Sequence, residues 1–194
     1  MSTVVADMSV SLDGFVADPA GGVDRVFAWY GRTQPAARPT EPSGEAAAFG
    51  LRVIVYGRRT FDQAQGWNGR HPTGAPVIVV TREVPDGWPR EGSTVSFVTD
   101  GIESAISEAA AIAADGVIAL GSPSIIQQCL NLGMVDRIQA KIIPVLLGAG
   151  TRMFGEIAGD PIELEDPTVI EGNGVTHLHY VLPSGGRRAR EATA

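Results

Sequence analysis

The stretch Arg52-Val53-Ile54-Val55-Tyr56-Gly57-Arg58-Arg59-Thr60-Phe61 decides how this chain is read. Val53, Ile54 and Val55 are consecutive, apolar and β-branched. Such a run fits a strand covered on both faces, because a half-exposed strand would alternate apolar with polar residues. Gly57 then admits a sharp exit and close approach of another backbone. A short helix is expected over Arg58–Gln65, directly after the strand. Strand followed at once by helix is the unit of an α/β fold.

Working outward, the same grammar recurs. Apolar runs expected as strands are Thr3–Val10, Arg52–Tyr56, Pro76–Val80, Thr94–Val98, Val117–Leu120, Asp136–Val145, Ile162–Ile170 and Gly174–Leu182. Ile102–Ala114 places Ile102, Ala105, Ile106, Ala109 and Ile112/Ala113 on one helical stripe, with Thr99 or Asp100 as cap and Gly116 as exit. Ser124–Leu132 reads as a further helix, capped by Ser122 or Ser124, with Pro123 in its first turn and Gly133 at its end. Ser43–Phe49 is a short helical pattern. Glu171-Gly172-Asn173-Gly174 reads as the turn of an antiparallel hairpin. The fold class is therefore α/β, with a mixed, mainly parallel sheet of about eight strands and a C-terminal hairpin. Residues 1–183 are expected as a single domain. Gly31–Gly44 is rich in proline, threonine and glycine and reads as a surface loop. Residues 184–194 carry Arg187, Arg188 and Arg190 and are expected to be a disordered tail.

Composition narrows the function. The 194 residues hold 22 acidic against 15 basic side chains, a net charge of −7. A nucleic-acid binder usually needs a basic face, and anionic membranes repel an acidic protein, so neither partner is expected. Gly116–Val135 is uncharged and long enough to span a bilayer. It contains Ser122, Pro123, Ser124, Gln127, Gln128 and Asn131, so it reads as strand, loop and helix. One cysteine, Cys129, excludes an internal disulfide framework and is expected in the core. No leader pattern is visible at the N-terminus, and a cytoplasmic location is expected. Fourteen arginines against one lysine fit a bacterial source.

Three strand ends carry phosphate-friendly residues. Tyr56-Gly57-Arg58-Arg59-Thr60-Phe61 offers a glycine, two guanidinium groups and a hydroxyl where a helix begins. Val80-Thr81-Arg82 offers a hydroxyl and a guanidinium. Leu120-Gly121-Ser122-Pro123-Ser124-Ile125 offers a side-chain-free position and two hydroxyls. Each has a plain alternative as a helix cap or a solvated surface. Ligands of parallel sheets bind outside the carboxyl ends of strands, so three such ends point to a dinucleotide or another polyphosphate. Gly148-Ala149-Gly150 lacks the third glycine of a dinucleotide fingerprint, since Met153 falls there, and no phosphate-loop lysine motif exists.

The N-terminal strand runs into a loop holding Asp13, Gly14, Asp18, Gly21, Gly22 and Asp24. Asp13 is expected to cap the turn at Gly14. Asp24 reads either as a solvated helix-start residue or as the carboxylate that holds a polar substrate ring. His177 and His179 share one strand face, and no third metal ligand follows from spacing, so no metal is expected. His71 reads as an incidental loop residue. No Gly-x-Ser-x-Gly elbow supports hydrolase chemistry.

Taken in order, Ser11-Leu12-Asp13-Gly14-Phe15-Val16-Ala17, Tyr56-Gly57-Arg58-Arg59-Thr60-Phe61 and Val80-Thr81-Arg82 resemble the dihydrofolate reductase-like superfamily. The branch most similar is the reductase domain of bifunctional riboflavin-biosynthesis enzymes. Gly133-Met134-Val135-Asp136-Arg137-Ile138, then Pro144–Gly150 with Phe154, and Val175-Thr176-His177-Leu178 are similar to that branch's C-terminal signature. The resemblance covers roughly residues 3–182.

It implies an eight-stranded sheet that binds NADPH and passes hydride to a small heterocyclic, pterin- or pyrimidine-like, or carbonyl substrate. By motif, Gly57, Arg58, Arg59 and Thr60 would hold phosphates, and Thr81 and Arg82 the adenosine end with its 2′-phosphate. Gly121, Ser122, Ser124 and Ile125 would meet the pyrophosphate, and Ala17 with the loop to Val23 would border the nicotinamide. Asp24 would anchor substrate and Asp13 would support the loop. The chain departs from the branch at Gly121-Ser122-Pro123, where consecutive glycines are usual, and before Arg52, where relatives carry a clear helix. The branch commonly pairs into homodimers, and an apolar edge such as Gly174–Leu182 would need covering. The alternative reading is a non-catalytic nucleotide or small-molecule binding protein on the same fold.

Overall fold

The central strands are apolar on both faces, and that is where the core sits. The computed structural model describes residues 1–30, 50–155 and 157–183. The strands are β1 (Thr3–Ser11), β2 (Phe15–Ala17), β3 (Leu51–Gly57), β4 (Val77–Val80), β5 (Val95–Val98), β6 (Val117–Leu120), β7 (Arg137–Ile143), β8 (Thr151–Arg152), β9 (Thr168–Gly172) and β10 (Val175–Val181). The helices are α1 (Asp24–Phe27), α2 (Arg58–Gln63), α3 (Ile102–Ala113) and α4 (Pro123–Asn131), with a 3-10 turn at Gln65–Gly69.

Eight strands form a mixed sheet in the order β5-β4-β3-β6-β1-β7-β10-β9, and β2 pairs with β8 apart from it. β3 runs parallel to β4 and β6, β4 to β5, and β1 to β7. β10 is antiparallel to β7 and β9. The expected fold class is borne out.

The chain divides into two compact units. Unit 1 comprises residues 1–4 and 38–125, and unit 2 comprises 5–37 and 126–194. In unit 1, Val53, Val55, Val77, Ile78, Val79, Ile118 and Leu120 have no solvent exposure. In unit 2, Val26 and Trp29 pack with Ile143 and Val175. Trp29 Nε1 donates to the buried Ser9 hydroxyl at 3.0 Å, which satisfies the indole N–H inside the core.

Several local expectations are corrected. α3 begins after Gly101, at φ +108, with no side-chain cap, so neither Thr99 nor Asp100 caps it. Its left-handed exit residue is Ala114, not Gly116. Ile112 faces solvent and Ala113 is buried in its place. The strand expected from Ile162 starts only at Thr168. Pro167 lacks an N–H, and residues 161–166 are exposed, so no ladder forms there. β10 is an inner strand, and the edge strand is β9, exposed throughout. α2 stops at Gln63, because the chain turns through left-handed Gln65, Gly66, Trp67 and Asn68.

α4 ends as expected. Gly133 N–H donates to Leu130 O and Met134 N–H to Cys129 O, with Gly133 at φ +62, which is a Schellman closure. The helix expected at Ser43–Phe49, the loop expected at Gly31–Gly44 and the tail at 184–194 lie outside the described residues. None of the described helices is long and apolar enough to cross a membrane.

Candidate functional site

In unit 1 the carboxyl ends of β4, β3 and β6 lie side by side, because these strands are parallel neighbours. Gly57 ends β3 and precedes α2. Its N–H donates to the Ser122 hydroxyl at 3.0 Å, and that hydroxyl donates to Thr60 Oγ1 at 2.7 Å. Ser122 is 1% exposed, one of three buried polar side chains among the described residues. The two loops are close enough that a Cβ on Gly57 would sit 3.1 Å from Ser124 Oγ and against Ile125. A Cβ on Gly121 would collide with the Tyr56 ring. A side chain at Gly121 would therefore force the Tyr56 ring to move, whereas one at Gly57 would be a tight fit against Ser124.

Arg58 straddles two strand ends. Its Nε binds both oxygens of Asp62 at 2.8 and 2.9 Å, and its Nη1 donates to Glu83 O at 3.2 Å. Thr81, after β4, donates to Glu83 O at 2.8 Å. Arg59 and Arg82 are exposed, with no ion-pair or hydrogen-bond partner among the described residues. Two exposed guanidinium groups at these ends are available to pair with an anion.

Beneath these ends lies a cluster that sequence reasoning missed. Tyr56 OH meets His71 Nε2 at 3.0 Å, and Trp67 packs on Tyr56 at 4.7 Å and on His71 at 5.1 Å between ring centroids. His71 Nδ1 meets Thr73 Oγ1 at 2.8 Å. Burial pushes the His71 imidazole down to about 4, so it is neutral at pH 7. His71 is thus a packed partner of Tyr56 rather than an incidental loop residue. Fifteen residues separate the two, and no local signal in the sequence pairs them.

Unit 2 holds the remaining candidates. Asp13 does not cap the turn at Gly14. Ser11 does so, through its carbonyl to Gly14 N–H and its hydroxyl to Phe15 N–H. The Asp13 carboxylate accepts from Ser11 Oγ at 2.6 Å, from Leu147 N–H at 3.1 Å and from Gly148 N–H at 2.7 Å. These bonds, led by the Ser11 hydroxyl, hold its carboxyl down at about 2. The same loops meet again where a Cβ on Gly150 would collide with the Ala17 carbonyl oxygen. Ala17 is buried in β2. Asp18 turns the chain by accepting from Ala20 and Gly22 N–H. Val23 is 38% exposed, and Asp24 is exposed at the start of the one-turn helix α1.

His177 and His179 share a face with Lys141 and Gln139 of β7 and with Asp7 and Ser9 of β1. Lys141 Nζ donates to the Asp7 carboxylate at 2.9 Å, and His179 Nε2 meets Gln139 at 2.8 Å. Among the described residues no group of three or more potential ligands could hold a metal ion. Cys129 is fully buried, and burial pushes its thiol up to about 12, so it is core, as expected.

Residues 2–169 match the model of the RibD C-terminal domain. The chain belongs to the RibD C-terminal domain family. A family relative, the uncharacterized protein YyaP of Bacillus subtilis (strain 168), is 24% identical over 168 residues, covering 79% of this chain and 81% of its own. A Shewanella sp. PV-4 protein assigned to riboflavin biosynthesis superposes with TM-score 0.67 at 25% identity, covering 94% of this chain and 99% of that one. Two other structures, at lower identity, share the fold. One is the diaminohydroxyphosphoribosylaminopyrimidine deaminase/5-amino-6-(5-phosphoribosylamino)uracil reductase of Thermotoga maritima (TM-score 0.62, 14% identity, 94% of this chain, 57% of that one). The other is the dihydrofolate reductase of Enterococcus faecalis complexed with NADP(H) (TM-score 0.59, 15% identity, 93% and 96%). The RibD C-terminal match therefore agrees with the resemblance read from the ordered motifs.

Proposed function

We propose that this RibD C-terminal domain protein is an NADPH-dependent reductase of a small heterocyclic substrate, pterin- or pyrimidine-like, or of a carbonyl substrate. The observation that carries the reading is the row of three adjacent parallel strand ends in unit 1. Arg59 and Arg82 stand there exposed, with no ion-pair or hydrogen-bond partner among the described residues, and the same ends hold Gly57, where a Cβ would sit tight against Ser124 Oγ. This donor set fits a phosphorylated dinucleotide. The names of the solved relatives, a uracil reductase and a dihydrofolate reductase with NADP(H), support the same class.

When bound, NADPH supplies the hydride and the reducing equivalents. The chain's own residues then bind and orient. Arg58, Arg59 and Thr60 hold phosphates beside Gly57. Thr81 and Arg82 meet the adenosine end, where a guanidinium selects for a 2′-phosphate. Gly121, Ser122, Ser124 and Ile125 line the third strand end. Pro123 has no N–H, so it adds no backbone donor there. Ala17 and Val23 border the nicotinamide, and the exposed Asp24 carboxylate anchors a polar ring. No side chain need act as a nucleophile, because orientation and exclusion of water are what hydride transfer requires. The reading takes residues 1–183 as one domain, working in the cytoplasm as a homodimer. The β9 edge, with Val169 and Ile170 about half exposed, supports the dimer.

Thermal unfolding with NADPH, NADH and no ligand tests the reading. At about 100 times its dissociation constant a ligand stabilises by roughly 2.7 kcal/mol, so a clear rise in Tm is expected with NADPH. Arg82→Ala should erase the preference over NADH. No shift with either cofactor sinks the proposal. A shift without NADPH oxidation across pterin, pyrimidine and carbonyl substrates identifies a binding protein instead. Unchanged turnover and substrate affinity in Asp24→Asn would remove that residue from the mechanism.

A further inference from the structure

We propose that Ser122 is a positioning residue that acts through Thr60, setting the Thr60 hydroxyl as a donor to a phosphoryl oxygen of the cofactor. The inference rests on the NADPH reading above and names how one part of that site works.

The polarity of this chain of bonds is set by the burial of Ser122, whose hydroxyl proton meets no acceptor but Thr60 Oγ1 among the described residues. Gly57 N–H is buried and can only donate, and it donates to Ser122 Oγ at 3.0 Å. The Ser122 proton goes to Thr60 Oγ1 at 2.7 Å. Ser122 is 1% exposed, with an acceptor lone pair and its only proton both engaged, so it has no surface of its own to offer a ligand. Thr60 receives that bond and must rotate its own proton elsewhere. Among the described residues Thr60 Oγ1 makes no hydrogen bond other than the one it accepts from Ser122. Thr60 is half-buried on the first turn of α2, next to Arg58 and Arg59.

Solvent takes that proton in the free protein, and a ligand seated beside Arg58 and Arg59 can replace it as acceptor. The neighbouring guanidinium groups select an anionic one. A phosphoryl oxygen meets both demands, since it accepts several bonds and carries charge. The chain moves the donor capacity of a buried amide outward by two hydroxyls. Hydroxyls in series polarise one another, so the terminal donor is stronger than an isolated threonine. Ser122 and Thr60 are 62 positions apart, and this coupling also holds the ends of β3 and β6 in register.

NADPH affinity, read by quenching of tryptophan fluorescence, tests the proposal on wild type, Ser122→Ala, Thr60→Val, Thr60→Ser and the Ser122→Ala/Thr60→Val pair. Ser122→Ala and Thr60→Val should each weaken NADPH roughly tenfold. The pair should be no weaker than Thr60→Val alone, because Ser122 acts only through that hydroxyl. Thr60→Ser should restore the affinity lost in Thr60→Val. The same losses with NADH assign the pyrophosphate, and losses confined to NADPH assign the 2′-phosphate. Wild-type affinity in Ser122→Ala, or independent addition of the two losses, overturns the proposal while leaving the NADPH reading intact. Thr60→Val, on a partly exposed position, keeps the test decisive if Ser122→Ala does not fold, because unchanged affinity there also overturns it. A wild type that fails to bind NADPH overturns both.

Discussion

Loops after strands in unit 1 are joined by neutral groups, whereas those in unit 2 are joined by a carboxylate. Gly57 N–H, Ser122 Oγ and Thr60 Oγ1 link the ends of β3 and β6, over a Tyr56–His71–Trp67 cluster that is neutral at pH 7. Asp13 instead collects the Ser11 hydroxyl two residues back and the backbone N–H groups of Leu147 and Gly148, 134 and 135 residues on. A neutral hydroxyl both accepts and donates, so it passes a donor onward to a ligand. A carboxylate only accepts, so it terminates a network and holds a loop in place. The first arrangement suits a binding surface and the second a rigid wall.

Glycine replacements should separate the two most strongly. Gly150→Ala places a Cβ against the Ala17 backbone carbonyl, at φ +134, where an L residue is strained. Backbone cannot step aside, so the expected loss is about 3 kcal/mol or more, read by urea unfolding. Gly121→Ala meets the Tyr56 ring, a side chain that can shift, and about 1–3 kcal/mol is expected. A larger loss at Gly121 would mean the aromatic cluster is the stiffer region.

Acid should act on unit 1 first. The unfolded state binds a proton at His71 near pH 6.5 and the folded state only near 4. Stability is therefore complete above pH 6.5 and falls as pH drops through that window, by on the order of 3 kcal/mol at most. His71→Gln keeps a polar partner for Tyr56 and should flatten the wild-type dependence between pH 7 and 4. An unchanged slope would place the titration elsewhere. The Asp13 carboxyl is held down at about 2, below its usual range, so its contribution is present above the ordinary aspartate range and is lost only as pH falls through about 2. The amide resonances of Leu147 and Gly148 should report that low inflection. Movement near pH 4 would mean the carboxylate is not bound to them.

The smallest effect belongs to Arg58 and Asp62. Their side chains are 40% and 51% exposed, so the bidentate pair should couple by no more than about 0.5 kcal/mol in a double-mutant cycle, and by less in 1 M salt. A coupling well above that would show that Asp62 fixes the Arg58 guanidinium, which reaches Glu83 O after β4.

Legibility followed the range of the physics involved. β3, β4 and β6 were readable because burial on both faces writes a continuous apolar run into a few adjacent residues. The exit of α4 was readable because Gly133 alone tolerates the left-handed closure. The run Ile162–Ile170 forms a strand only from Thr168, since a strand needs a partner that offers a ladder, and Pro167 lacks the N–H to join one. Thr99 and Asp100 misled, because Gly101 at φ +108 turned the chain without using their side chains.

The sequence by itself determined the α/β class, the parallel middle, the hairpin and the three strand ends that carry arginine, threonine and glycine. Those properties depend on local burial, local backbone freedom and the order of elements. Only the tertiary structure decided which hydroxyl answers which amide, that His71 belongs under Tyr56, and that Asp13 reaches residues 147 and 148. Such bonds join positions 15 to 135 apart, and their formation depends on angles and distances of a few tenths of an ångström that no linear pattern encodes.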